Sequence, residues 1–314
     1  MLRHVLAAAT LSACCASAHG AFTITNGNAT FSTVLTPFLP DSALSTCDFR
    51  PDGGATTDHM FAYNWSYRAP IQGNRGFSFV DTPVQTIAGD TVILTYTNAG
   101  PGVVGQNRFN ATLTIRITDG PVPGAARVLS TLTFTAAATN TGPVTFDIFH
   151  VDDFDVGGTA TGDTYTIANP AGVSGTAIDG TNTMRFVGLN APRFEVGSGT
   201  TLRNKIIGGL NQNLSNAAGP FTGDGAVGYQ WTFTNLAPGQ SVSVATAFGL
   251  NVPALPCPAD IDGNGAIDTA DLVILLGNFG TPVPPGTGGD INGDGFVDTA
   301  DLVVLLGVFG TVCP

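Results

Sequence analysis

Charge is what this chain has least of. Charged residues fill 11% of its 314 positions, and among them are a single lysine, Lys205, and a single glutamate, Glu195. Eleven Lys and Arg against 23 Asp and Glu leave a formal net charge of −12. Neutralising a phosphate backbone takes clustered cations, so the shortage argues against nucleic-acid binding and against adhesion to an anionic membrane surface. One glutamate makes a Glu/Glu catalytic pair impossible. The signatures G-x-S-x-G, H-E-x-x-H, the P-loop and paired C-x-x-C are absent as well. No apolar run approaches the roughly 18 residues that a membrane-spanning helix requires.

Glycine, proline and threonine are plentiful instead, with 41 Gly and 20 Pro. Between about Ala21 and Val252 they punctuate short alternating runs. Phe61 to Arg68 alternates strictly, with aromatics on one face and Asn64, Ser66 and Arg68 on the other. Thr91 to Tyr96, Ala111 to Ile117, Val128 to Thr135, Val144 to Val151, Tyr229 to Thr234 and Ser241 to Phe248 read as further strands, separated by turns such as Asp119-Gly120-Pro121. The pattern predicts a mainly β fold, a large antiparallel β-sandwich over 19–252, as one sandwich or two. The one short helix expected in it spans Thr201 to Asn213.

The C-terminal tail, from Cys257 to Pro314, carries one pattern twice. D-I-D-G-N-G-A-I-D-T-A-D-L starts at Asp260, and D-I-N-G-D-G-F-V-D-T-A-D-L starts at Asp290. An apolar run follows each copy. A hard cation such as Ca²⁺ takes six to eight oxygens, and a 12-residue EF-hand loop offers them from positions 1, 3, 5, 7, 9 and 12. In the first copy those are Asp260, Asp262, Asn264, Ala266 through its carbonyl, Asp268 and Asp271. In the second they are Asp290, Asn292, Asp294, Phe296 through its carbonyl, Asp298 and Asp301. Position 6, where the loop turns sharply, is Gly265 and Gly295. Position 8 is β-branched in both copies, Ile267 and Val297, which suits a short strand contact between the loops. The reading is two Ca²⁺ ions. Eight Asp and no Lys or Arg lie in this tail, so it should fold only with the cation present. Thr281 to Gly289, between the copies, reads as a mobile loop.

The duplicated loops, the single helix after each, and Asp at position 12 in place of the usual Glu make 257–314 resemble a bacterial dockerin domain. The resemblance covers a minority of the chain. It implies a small α-helical, calcium-folded module that docks onto a cohesin-like or other cell-surface receptor protein. In that family positions 10 and 11 help choose the partner. Here they are Thr269-Ala270 and Thr299-Ala300, identical between copies, which allows two docking orientations related by a half-turn. The helices lack the Lys/Arg usual in cellulosomal dockerins, and the tail looks closer to Cys-framed variants at the ends of secreted proteins. That framing implies a Cys257–Cys313 disulfide, worth about 4 kcal/mol in the chain-entropy model. Residues 253–256 are the linker between modules.

The N-terminus has a basic start, an apolar core from Val5 to Leu11 and an A-x-A site at Ala16-Ser17-Ala18, the layout of a secretory signal peptide over 1–18. Leu11-Ser12-Ala13-Cys14 also resembles a lipobox, which would put a lipid on Cys14. Either way the protein is expected outside the cytoplasm, secreted or at the cell surface.

Two groups in the β module are candidate sites. The aromatic stripes around Trp65 and Trp231 read as the buried face of the sandwich, with a carbohydrate platform as the alternative. Asp152, Asp153 and Asp155, after the strand ending near Val151, read as an acidic solvated loop. The alternatives are a structural Ca²⁺ or, with Glu195, a carboxylate pair for glycoside hydrolysis. Two functions follow. The first is a non-catalytic extracellular protein whose sandwich binds a partner or glycan and whose tail anchors it. The second is a dockerin-borne glycoside hydrolase degrading polysaccharide.

Overall fold

The computed structural model describes residues 21–33, 47–53, 57–69, 77–78, 83–100, 107–120, 122–169, 173–206, 212–252, 258–262, 266–284, 286–292 and 295–310. The signal segment, the 253–256 linker, Cys257, Cys313, Asn264, Gly265 and Asp294 lie outside them.

Alternating apolar residues and Gly/Asn turns produce a mainly β, antiparallel architecture. The strands are β1 (Phe22–Asn26), β2 (Ala29–Thr33), β3 (Cys47–Arg50), β4 (Ala62–Arg68), β5 (Phe77–Ser78), β6 (Val84–Ala88), β7 (Thr91–Ala99), β8 (Phe109–Asp119) and β9 (Ala126–Ala136). They continue with β10 (Val144–Asp153), β11 (Thr164–Asn169), β12 (Ser174–Asp179), β13 (Asn182–Gly188), β14 (Arg193–Ser198), β15 (Phe221–Thr222), β16 (Gly225–Leu236) and β17 (Ser241–Leu250). Helix α1 (Gly199–Ile206) lies between β14 and β15, and α2 (Thr269–Gly277) and α3 (Thr299–Val308) follow the strands. One sheet runs β14-β16-β10-β4-β5 and faces a nine-stranded sheet, β15-β11-β12-β13-β17-β9-β8-β7-β6. A third sheet, β1-β2-β3, closes against both: the Phe31 ring meets Tyr63 of one at 5.4 Å and Phe248 of the other at 5.9 Å.

Buried side chains from Phe22 to Leu250 form one continuous core, so the β module is one sandwich. Register explains its content. Tyr63, Trp65 and Tyr67 of β4 sit opposite Asp152, His150 and Ile148 of β10, and His150 and Ile148 sit opposite Tyr229 and Trp231 of β16. All of these share the inward face. The aromatic stripes are therefore core: Trp65 is sealed and Trp231 is 3% exposed. They offer no stacking platform to a sugar.

The outward face of the smaller sheet is covered too, which the alternation of β4 did not lead us to expect. Helix α1 and residues 212–216 lie over it, with Leu202, Ile206 and Leu214 packed on Phe149 and Ala226. Ser66 and Arg68, expected on a solvent face, are buried. Arg68 is held by Asp147 at 2.7 Å and stacks over Phe149 at 5.0 Å. Helix α1 begins at Gly199, ahead of the expected Thr201, and is described only to Ile206.

Candidate metal centre

Both tail helices start from the same device. Asp268 precedes α2 and its Oδ1 accepts from Ala270 N at 2.7 Å, while Asp271 reaches back to Asp268 N at 2.9 Å. In the second copy Ala300 N donates to Asp298 at 2.7 Å and Asp298 N to Asp301 at 2.8 Å. Each pair is a reciprocal capping box that satisfies orphan N–H groups and places an anion at the helix start.

Position 12 does more than cap. Asp271 is fully buried, and its Oδ1 accepts from Ile261 N at 2.6 Å and Asp262 N at 3.2 Å. Asp301 does the same for Ile291 N at 2.7 Å and Asn292 N at 3.0 Å. The shorter Asp carboxylate thus ties the loop's entry to its exit. In the second loop Asp290 accepts from Gly295 N at 2.9 Å and from Gly286 N at 3.1 Å. Gly295 has φ +90, a conformation that position 6 requires and a side chain would strain.

Carboxylate oxygens of Asp260, Asp262 and Asp271 lie within 4.8 Å of one another. Three carboxylates this close, with no Lys or Arg in the tail, fit a hard divalent cation. Ala266 and Phe296 stand at the carbonyl positions. Thr269, Ala270, Thr299 and Ala300, which the resemblance assigns to partner choice, are exposed on the first turns of α2 and α3.

Ile267 and Val297 share the tail's buried core, and their backbone carbonyls are engaged beyond the helices. Gly310 N, after α3, donates to Ile267 O at 2.8 Å, and Gly280 N, after α2, donates to Val297 O at 2.7 Å. Each loop is thus tied to the segment that follows the other copy's helix, through equivalent residues of the two copies. The start of Thr281–Gly289, expected as a mobile loop, is paired with residues 295–297. Val297 N donates to Thr281 O at 3.1 Å, Val283 N donates to Gly295 O at 3.0 Å, and Pro282 bridges Phe296.

In the sandwich the four candidate acids do not form one site: Asp152 and Glu195 go elsewhere, while Asp153 and Asp155 stay close enough to feel each other's charge. Asp152 is sealed in the core, not in a solvated loop, and one oxygen meets His150 Nε2 at 2.8 Å. That imidazole packs against Trp65 at 4.3 Å and Tyr63 at 4.7 Å. Asp153 points the opposite way, as strand alternation demands, and is buried against α1, where a Cβ on Gly199 would collide with its Oδ2. Burial, then Asp224 and Asp155, push its carboxyl up to about 8. Burial and then Asp224 also raise Asp155. Glu195 is spent on Lys205, which it contacts directly, and on Ser215 N at 2.8 Å. Asp152, Asp153 and Asp155 therefore do not converge on one ion, and Asp152 and Glu195 are committed elsewhere. Sequence order gave no signal for the His150–Asp152 pair. The Glu195–Lys205 pair had one, each being the only residue of its type.

No family model matches the chain, and no curated protein matches it either. Among solved structures, a bacterial glucoamylase complexed with acarbose aligns over 74% of this chain and 32% of its own, with TM-score 0.42 and 9% identity. This chain spans about a third of that protein's length, and a likeness at this level assigns neither fold nor activity to it. Among the described residues no helix is long and apolar enough to cross a membrane.

Proposed function

We infer that the protein is an exported, non-catalytic extracellular or cell-surface protein, anchored by a calcium-dependent, dockerin-like tail that carries a β-sandwich. The observation that carries this reading is the exposed face shared by the two tail helices. Val273 and Leu276 of α2 and Val303 and Leu306 of α3 are all more than half exposed, at matching positions. On each helix they continue the face begun by Thr269-Ala270 or Thr299-Ala300, at three- and four-residue spacing. An apolar face of this kind, repeated and rimmed by acidic loops, suits a protein receptor of the cohesin type. Two bound Ca²⁺ would hold the loops that present it.

The non-catalytic half of the reading rests on Asp152 and Glu195, which are paired with His150 and Lys205. Release of reducing sugar from any polysaccharide by the folded chain would overturn that half. The anchoring half is tested by fractionating the producing cells. The protein should stay on the cell surface in calcium, leave it in EDTA, and lose retention in a Val273→Asp/Val303→Asp double variant that still binds calcium. Retention indifferent to EDTA and to both substitutions contradicts it.

A further inference from the structure

The two candidate calcium loops are alike in sequence and unlike in surroundings. At positions 2 and 3, Ile261 is half-buried and Asp262 exposed, whereas Ile291 and Asn292 are 5% and 7% exposed. The helices show no such difference; α2 and α3 have the same burial pattern from Asp271 and Asp301 onward. Ile291 packs into the tail's own core, and on its other side the second loop's entry faces the sandwich. Ile291, Asn292 and Val304 form one wall of a cleft of about 150 Å³, and Leu189, Trp231 and Val244 help form the other. The Trp231 indole is fixed there by its N–H, which donates to Leu189 O at 3.0 Å. Nearby, a Cβ added to Gly307 of α3 would stand 3.9 Å from Asn190 Nδ2.

We propose that the second calcium loop is an internal docking element: it seats the tail on the sandwich through Ile291, Asn292 and Val304, and its calcium holds that seat. The proposal rests on the calcium reading of the loops. Asn292 is at once the position-3 oxygen donor and part of the cleft wall, so loss of the ion frees the residue that makes the contact. The apolar character of the facing wall gives the seat its driving force. The first loop and the exposed faces of α2 and α3 remain open, so the tail has one side for its own sandwich and another for a receptor. The sandwich would then be presented to its surroundings in a fixed orientation rather than on a free tether.

Small-angle scattering of the full chain, with calcium binding measured in parallel by calorimetry, tests this. In calcium the wild type should scatter as one compact particle, and EDTA should raise its radius of gyration. Val304→Asp, on the tail, and Leu189→Glu, on the sandwich, should each bind calcium as the wild type does yet scatter as two tethered bodies. Having the variants on opposite walls guards against local misfolding of either one. A calcium-bound wild type that is already extended, or variants as compact as the wild type, overturns the docking and leaves the calcium reading standing. Absence of calcium binding overturns both.

Discussion

Glu195 of β14 and Lys205 in the last turn of α1 hold each other, with 8% and 17% of their side chains exposed. Removing one partner of a pair this enclosed leaves a buried charge, a loss of about 3–5 kcal/mol. Glu195→Ala should therefore lower the denaturation midpoint of the sandwich and leave calcium binding unchanged. Titration gives a second prediction. The folded state holds a proton on Asp153 up to about 8, and on Asp163 up to about 7, against an ordinary value of 3.8. Stability from these groups is present in acid and is lost as pH rises toward those values. His59 works in the opposite sense, because burial lowers it from 6.5 to about 4, but its contribution is complete by pH 6.5. Between pH 6.5 and 8 the sandwich should lose stability, and Asp153→Asn should flatten the slope; an unchanged slope contradicts the assignment. At this scale little was legible in the sequence. The run Asp152-Asp153-Phe154-Asp155 looked like one acidic group, yet alternation sends Asp152 into the core and Asp153 beneath α1. Which partner each would meet depends on strands far away in the chain.

At the scale of elements the sequence was a better guide, because period and turn chemistry act locally. Alternation located β4, β7, β8, β9, β10, β16 and β17. What it could not supply was which face each strand buries when both are covered, and β4 is such a case: α1 and residues 212–216 turn its polar face inward. The tail's two turn-and-helix repeats were legible for the opposite reason, since each is written within one short contiguous stretch. Even there the second duty of Asp271 and Asp301 went unread, although D-T-A-D is a capping pattern. Because the two caps are equivalent, Asp268→Ala and Asp298→Ala should each cost the tail about 1 kcal/mol in cap alone. Each should also weaken calcium binding in its own loop. Thermal melts at saturating calcium, where the tail is folded, report the first effect and calcium titration the second, and strongly unequal losses at saturation would count against the equivalence.

Across the whole molecule, a sandwich of mixed charge with one continuous core is followed by a strongly acidic tail with no cation of its own. The sandwich folds on apolar burial. Among the described residues the tail's buried core is Ala259, Ile267, Leu275, Ile291, Val297 and Leu305, a small set of side chains to set against clustered carboxylates. We propose that calcium supplies the missing attraction. The most direct test is a calcium titration of the full chain by calorimetry, beside an Asp271→Asn/Asp301→Asn double variant. The wild type should bind two calcium ions per chain and the variant neither, with an unchanged melting transition for the sandwich. No calcium uptake by the wild type, or full uptake by the double variant, would contradict it.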